Sequence, residues 1–417
     1  MLEVFIPYLG KTNASTYYRI EQPMDALTGL TPLPVNVMMD DGLSTTSNET
    51  RTEAWINCDI NFMWNPVGKG VLDNILLMKS WKAGLNNAGD IQYPPSYVIT
   101  TDDAMFDVMP YNPTFRDLGI KDLNGRMLVP GDEVTVKLPD ESSPRVLYRD
   151  GEKGFNIKNN VDKLNLLKQI YSMADGLIVT TPVLQKYFKD NLNLNAYVIP
   201  NCVSENDFPQ LELKQHTKEI RLLWQGSTTH VEDVWEVEDA LARVMNKYPN
   251  VTLTLMGALY ASLMKRLPMD RVKVIPYRPF KEGYYNRLAA VNHDINLALL
   301  SNNLFGSCRS GIKWYEASSL CRPVPTLAGR VGPYLEIEDG TTGLLYTGET
   351  EFETKLCGLI EDATLRKTLA DNAKDWVREN RNPAKWAYKY YEVFQNVRTK
   401  MREDKPYEEP IDGTLGT

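Results

Sequence analysis

Two α/β domains in series, each built on a parallel sheet, is the fold class this sequence predicts. Three observations carry it. Short apolar runs alternate with amphipathic helical stretches from end to end, the pattern of strands joined by crossover helices. The chain has 417 residues, too many for one ordinary core. Between 196 and 220 the pattern breaks: "AYVIPNCVSENDFPQLELKQHTKEI" is a strand ending at Pro200–Asn201, then a polar stretch without a period. That stretch reads as the linker, with the hinge between 200 and 218. The expected boundaries are 1–203 and 204–385, then a final helix over 386–402 and a frayed polar tail over 403–417.

In the first series "LEVFIPY" is a strand, "LGKTNAS" a turn and "TYYRIEQPMDAL" a helix; "PVNVMM", "INFMW", "SYVIT" and "GLIVTT" are further strands. Residues 122–160, rich in Pro, Gly and Asp, read as an irregular excursion. The second series opens with the strand "IRLLWQG". A helix over 232–248 follows, with Val237, Leu241, Val244, Met245 and Tyr248 on one apolar face. Strands at "VTLTLMG", "VKVIPY", "INLALL" and "RPVPTL" come next. The last helix, about 384–402, lines up Trp386, Tyr390, Phe394, Val397 and Met401 along a packing stripe.

Composition excludes several classes. Hydrophobic residues at 43% and charged residues at 24% are ordinary globular values, and no apolar run reaches the ~18 residues of a membrane helix. No basic segment or cleavage site precedes the first strand, so a secretory signal is not expected. Five cysteines, odd in number and without metal-ligand spacing, fit reduced thiols in a cytoplasmic protein; three histidines argue against a His-rich metal centre. A net charge of −8 weighs against broad nucleic-acid binding. A local patch stays open, because 142–168 holds Arg145, Arg149, Lys153, Lys158, Lys163 and Lys168 against Asp150, Glu152 and Asp162.

Three loops follow strands of the second series. In "WQGSTTHVED", Gly226 lets backbone approach a ligand, and Ser227 to His230 lead into a helix whose first N–H groups are unpaired. An ordinary βα turn with a Ser or Thr cap explains it too. In "LLSNNLFGSCRSGIKWYEA", Ser310, Gly311 and Ile312 stand at a helix start, flanked by the cations Arg309 and Lys313. Oriented donors plus positive charge are what a diphosphate needs. Glu316, one turn beyond Ile312, is suited to vicinal hydroxyls such as those of a ribose; a plain Lys313–Glu316 surface pair is the other explanation. As a cleft-facing residue near a helix start, Glu316 is not expected in the core. The third loop, "AGRVGPYLEIEDGTTGLLY", is glycine-rich. Ligands in open α/β sheets bind beyond the carboxyl ends of strands, where all three loops lie.

These motifs together resemble the retaining GT-B nucleotide-sugar-dependent glycosyltransferases (group 1, family 4-like). The matching residues are Val198–Asn201, Gly226–His230, Asp294–Phe305, Arg309–Glu316, Pro323–Pro325, Tyr334 and Asp339–Leu345. The resemblance covers the second domain well and the first weakly. It implies two Rossmann-like domains facing across a cleft, with a C-terminal helix crossing back to the first. It also implies transfer of a sugar from a nucleoside-diphosphate donor, a UDP-sugar such as UDP-glucose, to an acceptor hydroxyl with retention. Gly10, Gly226, Ser227, His230, Ser310, Gly311, Ile312 and Glu316 would hold the donor, while Arg309 and Lys313 stabilise the leaving diphosphate. Two departures stand out. The family's Glu-x7-Glu has Cys308 at its first position here, and "GSTTHVED" lacks the usual Arg and Lys, which Arg309 and Lys313 replace.

On the acceptor side, Tyr17 and Arg19 follow the first strand, and Asp102 and Asp103 follow "SYVIT", placed to accept a proton from the nucleophile. Paired aspartates can also hold a divalent cation. The family seldom needs a metal, so none is expected, and no cofactor is required beyond the nucleotide-sugar co-substrate. The acceptor stays open between small molecule, glycan, protein and modified DNA, and so does the oligomeric state. A DNA glycosyltransferase acting on a hydroxymethylated base, a nucleotide-sugar epimerase and a degenerate nucleotide-sugar-binding protein are the alternatives.

Overall fold

Strands covered on both faces are buried along their length, and central members of the first sheet show this directly. The computed structural model describes residues 1–7, 13–29, 33–40, 48–66, 68–88, 95–137, 141–211, 218–280 and 282–402. Within them β1 (Leu2–Ile6), β4 (Ser96–Thr101) and β7 (Gly176–Val179) are buried almost throughout. With β2 (Val35–Met39), β3 (Ile60–Trp64) and β8 (Tyr197–Val198) they form a six-stranded sheet in the order β2-β1-β3-β4-β7-β8. Every pair is parallel. Its order reverses between β1 and β3, a flavodoxin-like switch point.

Residues 1–103, 158–201 and 383 onwards make up this first compact unit. The last helix, Pro383–Arg402, packs here as expected. Ala387, Tyr390, Phe394 and Val397 join Leu2, Val4, Ile6, Ile20 and Met24 in one core. Phe62 meets Tyr390 and Phe394 edge-on at 5.8 and 5.2 Å. After β1 the helical run 14–29 is interrupted by a π-helical turn at Tyr17–Glu21. Pro23 accounts for it, since it has no N–H to give the carbonyl of Arg19.

The second unit comprises 104–157 and 202–382. Its sheet contains β9 (Ile220–Gly226), β10 (Val251–Gly257), β11 (Val272–Pro276), β12 (Ile295–Ala298), β13 (Thr326–Gly329) and β14 (Leu344–Tyr346). The order is β11-β10-β9-β12-β13-β14, again with every pair parallel. In sequence terms this is 3-2-1-4-5-6, the dinucleotide-fold order, so the two sheets differ in topology.

Three local expectations change. The excursion, read with the first domain, groups with the second unit from Ala104 to Ile157. It is also less irregular than its composition suggests: β5 (Glu133–Val136) and β6 (Arg145–Arg149) pair antiparallel. Phe115, Tyr148 and Phe155 cluster beside them, with centroids 5.1–5.7 Å apart. Tyr111 of the excursion meets Trp235 edge-on at 4.7 Å. The helix expected over 232–248 is two, Val231–Trp235 and Glu238–Lys247, and the break lets Trp235 reach Tyr111 while Val237 stays in the core. Finally, the strand read in "RPVPTL" begins only after Pro325, at Thr326.

The end of β10 is tight. Gly257 has φ +121, and a Cβ there would overlap the carbonyl oxygen of Gly226 on the neighbouring strand. Backbone strain and overpacking therefore add, and Gly257→Ala is expected to destabilise by at least about 2 kcal/mol. Urea unfolding followed by circular dichroism checks it; a midpoint equal to wild type would contradict the packing described.

Candidate functional site

In the second sheet β10 lies on one side of β9 and β12 on the other, so the chain order reverses at the β9–β12 boundary. The loops leaving these two strands flank the position where open α/β sheets bind their ligands. Ser227 follows β9 and caps the turn Thr228–His230, its hydroxyl accepting from the Thr229 N–H. Tyr260 donates to the Ser227 carbonyl at 2.6 Å. After β12, Asn303 caps the short helix Leu304–Cys308. Arg309 and Ser310 then lead to Gly311, the cap of the helix Ile312–Ser319. The third loop braces this arrangement: Gly332 has φ +46, and a Cβ on it would overlap the carbonyl of Ser307.

The cationic side chains converge on His230. Arg309 Nη1 lies 2.7 and 2.8 Å from the two ring nitrogens, and Lys313 Nζ lies 3.3 Å from Nδ1. Asp233 Oδ2 is 2.5 Å from the same Nδ1, and Asp233 Oδ1 accepts from both the N–H and the hydroxyl of Ser301 at 2.8 Å. Arg309 also stacks on Phe305 at 4.8 Å, and Lys313 sits 5.5 Å from the Trp224 ring. Thus Ser227, His230, Arg309 and Lys313 form one neighbourhood at the start of a helix whose first N–H groups have no intrahelical partner.

Burial and charge set the protonation there. Burial, then Arg309 and Lys313, push His230 down to about 3, so its ring is neutral. Burial and Arg309 bring Lys313 down to about 8 against the pull of Asp233. Burial raises Asp233, but its bond to His230 and the cations overcome that and hold its carboxyl below the usual range. His293, buried and beside Arg322, is likewise pushed down to about 3, with no hydrogen-bond partner on either ring nitrogen.

A stability signature follows. The unfolded chain protonates its histidines below about 6.5, whereas these two stay neutral in the fold down to about 3. The unfolded state binds more protons in that window, so stability falls as pH drops from 6.5, by about 2 kcal/mol per histidine at pH 5. The depressed carboxyl of Asp233 acts separately, its contribution fading only below the ordinary aspartate range. His293→Gln is expected to halve the pH 7-to-5 loss in urea midpoints; an unchanged loss would contradict the assignment.

Glu316 departs from expectation by being only 2% exposed. Its Oε2 accepts from Gln225 Nε2 and Tyr284 Oη, both at 2.8 Å. Gln225 is the residue before Gly226 at the end of β9, so Glu316 is fixed to the same switch point as His230. Tyr284 stacks on Phe280 at 4.8 Å, and burial followed by the Glu316 charge raises its phenol well above the ordinary value. Tyr315, next in line, donates to Glu336 at 2.6 Å.

Gly226, Ser227, His230, Arg309, Ser310, Gly311, Ile312, Lys313 and Glu316 therefore share the β9–β12 region of one unit. Asp233, Gln225 and Tyr284 were not singled out in the sequence. Asp233 lies three residues after His230, on the same helical turn, and that spacing was its available signal. Cys308, at the first position of the family's paired glutamates, is wholly buried. Asp102, Asp103, Tyr17 and Arg19 belong to the first unit, and Gly10 lies outside the described residues. Asp102 is nearly buried and accepts from Trp64 Nε1 at 3.2 Å, while Asp103 and Tyr17 are half-buried. Arg19, proposed for the acceptor side, exposes no surface. It donates to Thr100 Oγ1 at 2.7 and 2.9 Å, the Ile199 carbonyl at 2.6 Å and Asn201 Oδ1 at 3.2 Å, tying the ends of β4 and β8 together. Among the described residues no group of His, Cys, Asp or Glu could hold a metal ion, and no helix is long and apolar enough to cross a membrane.

No family model and no curated protein matches this sequence. Solved structures do match. Sucrose-phosphate synthase from Thermosynechococcus elongatus aligns with a TM-score of 0.58 at 13% identity, over 96% of this chain and 100% of that one. HepE from Anabaena, in complex with UDP-glucose, aligns with a TM-score of 0.54 at 15% identity, over 95% and 100%. A glycosyltransferase from Rickettsia africae gives 0.53 at 12% identity, over 95% and 98%. Two parallel six-stranded sheets with helices, matched over nearly the whole chain, define the GT-B glycosyltransferase fold.

Proposed function

We propose that this chain is a glycosyltransferase that moves a sugar from a nucleoside-diphosphate donor, a UDP-sugar, to an acceptor hydroxyl with retention. The observation that carries it is the Arg309–Lys313 pair at the start of the helix Ile312–Ser319, one turn from the buried Glu316, at the switch point of the second sheet. The binding of UDP-glucose by HepE, which shares the fold, supports the donor class. The diphosphate would lie on the N–H groups of Gly311 and Ile312, with Arg309 and Lys313 against its oxygens and the ribose hydroxyls on Glu316. Negative charge grows on the leaving diphosphate in the transition state, so preorganised cations there lower the barrier without a metal. Asp103 and Tyr17, each half-buried in the first unit, are the acceptor-side candidates that keep accessible surface; Asp102, nearly buried and accepting from Trp64, is the third. A nucleic-acid acceptor is less favoured, because Arg145, Arg149 and Lys158 of the basic segment are already paired with Glu141, Glu133 and Asp162.

A thermal-shift screen against UDP-, GDP-, ADP- and dTDP-sugars tests this reading. A donor at 100 times its Kd stabilises by about 2.7 kcal/mol, and UDP-glucose is the expected hit. No shift with any nucleotide sugar would sink the proposal. The anomeric configuration of the product, read by NMR, decides retention.

A further inference from the structure

Asp233 is 4% exposed, on the helix Val231–Trp235, and its two oxygens are divided between two loops. Oδ1 takes the N–H and hydroxyl of Ser301, beyond the end of β12; Oδ2 faces Nδ1 of His230, beyond the end of β9. An ionised carboxylate only accepts, so Nδ1 must carry the ring proton. In the neutral ring that leaves Nε2 as the one lone pair; Arg309 Nη1 is 2.8 Å from it and 2.7 Å from Nδ1, and Lys313 Nζ is 3.3 Å from Nδ1. The chain Ser301–Asp233–His230–Arg309 thus crosses the switch point and ends on a donor-site cation. The opposite tautomer would set a lone pair on Nδ1 against the Asp233 carboxylate oxygen 2.5 Å away.

Resting on the donor reading above, we propose that Asp233 is a positioning residue: by fixing His230 as the Nδ1–H tautomer it holds Arg309 where the donor's diphosphate binds. Asp233 need not touch the substrate. Its effect reaches the ligand through one lone pair, which makes it separable from an effect on folding.

Asp233→Asn inverts the tautomer with little change of shape. The amide oxygen can keep the Ser301 tie, while the amide N–H donates to Nδ1 and moves the ring proton to Nε2. The chain has three histidines, so the His230 ring is identified in 15N spectra by its loss in His230→Ala. Wild type is expected to show Nδ1–H and Asp233→Asn to show Nε2–H. Calorimetric affinity of Asp233→Asn for inorganic pyrophosphate and UDP-glucose should fall about tenfold, and kcat should fall as well, because Arg309 also faces the leaving diphosphate. In the His230→Ala background, itself about tenfold weaker, Asp233→Asn should change nothing further. Should Asp233→Asn not fold, His230→Ala still removes the lone pair without touching the Ser301 tie, and wild-type affinity in it would overturn the inference. An inverted tautomer with unchanged affinity would overturn it too, as would an equal loss in both backgrounds, which would place the effect at Ser301. Wild-type binding of pyrophosphate but of no nucleotide sugar would remove the glycosyltransferase reading alone, with the pyrophosphate arm still deciding for or against Asp233. Failure of wild type to bind either ligand would remove both.

Discussion

Replacing Lys313 by Met should lower kcat by about 10²–10³ with a smaller change in donor KM. The reason is where its charge sits. Lys313 is 8% exposed, its ammonium 3.3 Å from His230 and 5.5 Å from the Trp224 ring, on the first turn of the helix Ile312–Ser319. A buried cation aimed at a leaving diphosphate acts most strongly when that group carries most charge, and loss of one such group typically costs this much. Met keeps most of the stem volume, so thermal stability should stay near wild type, whereas Lys313→Ala would add a cavity. The pH profile supplies a second readout. With Lys313 at about 8 in the empty site, the cation is lost as pH rises through that value. kcat/KM, which reports free enzyme, should therefore fall above about pH 8. The bound diphosphate restores the cation, so kcat should hold to higher pH. Lys313→Met should lose the alkaline fall in kcat/KM; an identical profile in wild type and variant would assign that limb to another group.

The sequence made the switch-point loops legible because their chemistry is local. Gly226, the Arg309–Lys313 spacing and Glu316 lie in short motifs between strands that read as apolar runs. What it hid depends on partners far along the chain. Gln225 gains a role only because Glu316, 91 residues on, accepts its amide. Asp233 looks like a first-turn acidic residue until Ser301, 68 residues away, closes on it. Arg19 reads as an acceptor-side cation, yet its four hydrogen bonds go to Thr100, Ile199 and Asn201, so it is a tie within the first unit. The excursion hid its strands for a related reason. Glu133–Val136 alternates exposed and buried positions over only four residues, too short for a periodic signal, and its buried face is completed by the aromatic cluster of Phe115, Tyr148 and Phe155.

Glu316→Gln should weaken UDP-glucose and UDP binding about tenfold or more while leaving pyrophosphate binding unchanged. Because the carboxylate is 2% exposed, this change is less innocent than a surface substitution. In the proposed site its two oxygens would have separate jobs. Oε2 already accepts from Gln225 and Tyr284, and a Gln oxygen in its place can accept from both, at the cost of two charge-assisted bonds becoming neutral. The other oxygen becomes an amide nitrogen, a donor set against ribose hydroxyls that need an acceptor. Each lost charge-assisted bond to a hydroxyl is worth about 1.5–3 kcal/mol, enough for the tenfold loss with one bond alone. Tyr284→Phe makes the complementary change: it removes a bond to Oε2 and spares the other oxygen, so its effect on UDP should be smaller. Pyrophosphate carries no ribose and reads the Arg309–Lys313 end by itself. Calorimetry with the three ligands then sorts the outcomes. Unchanged UDP affinity in Glu316→Gln would remove the ribose role. A parallel loss of pyrophosphate would show that the buried Gln225–Glu316–Tyr284 network shapes the whole helix start, and that Glu316 acts through packing instead of contact.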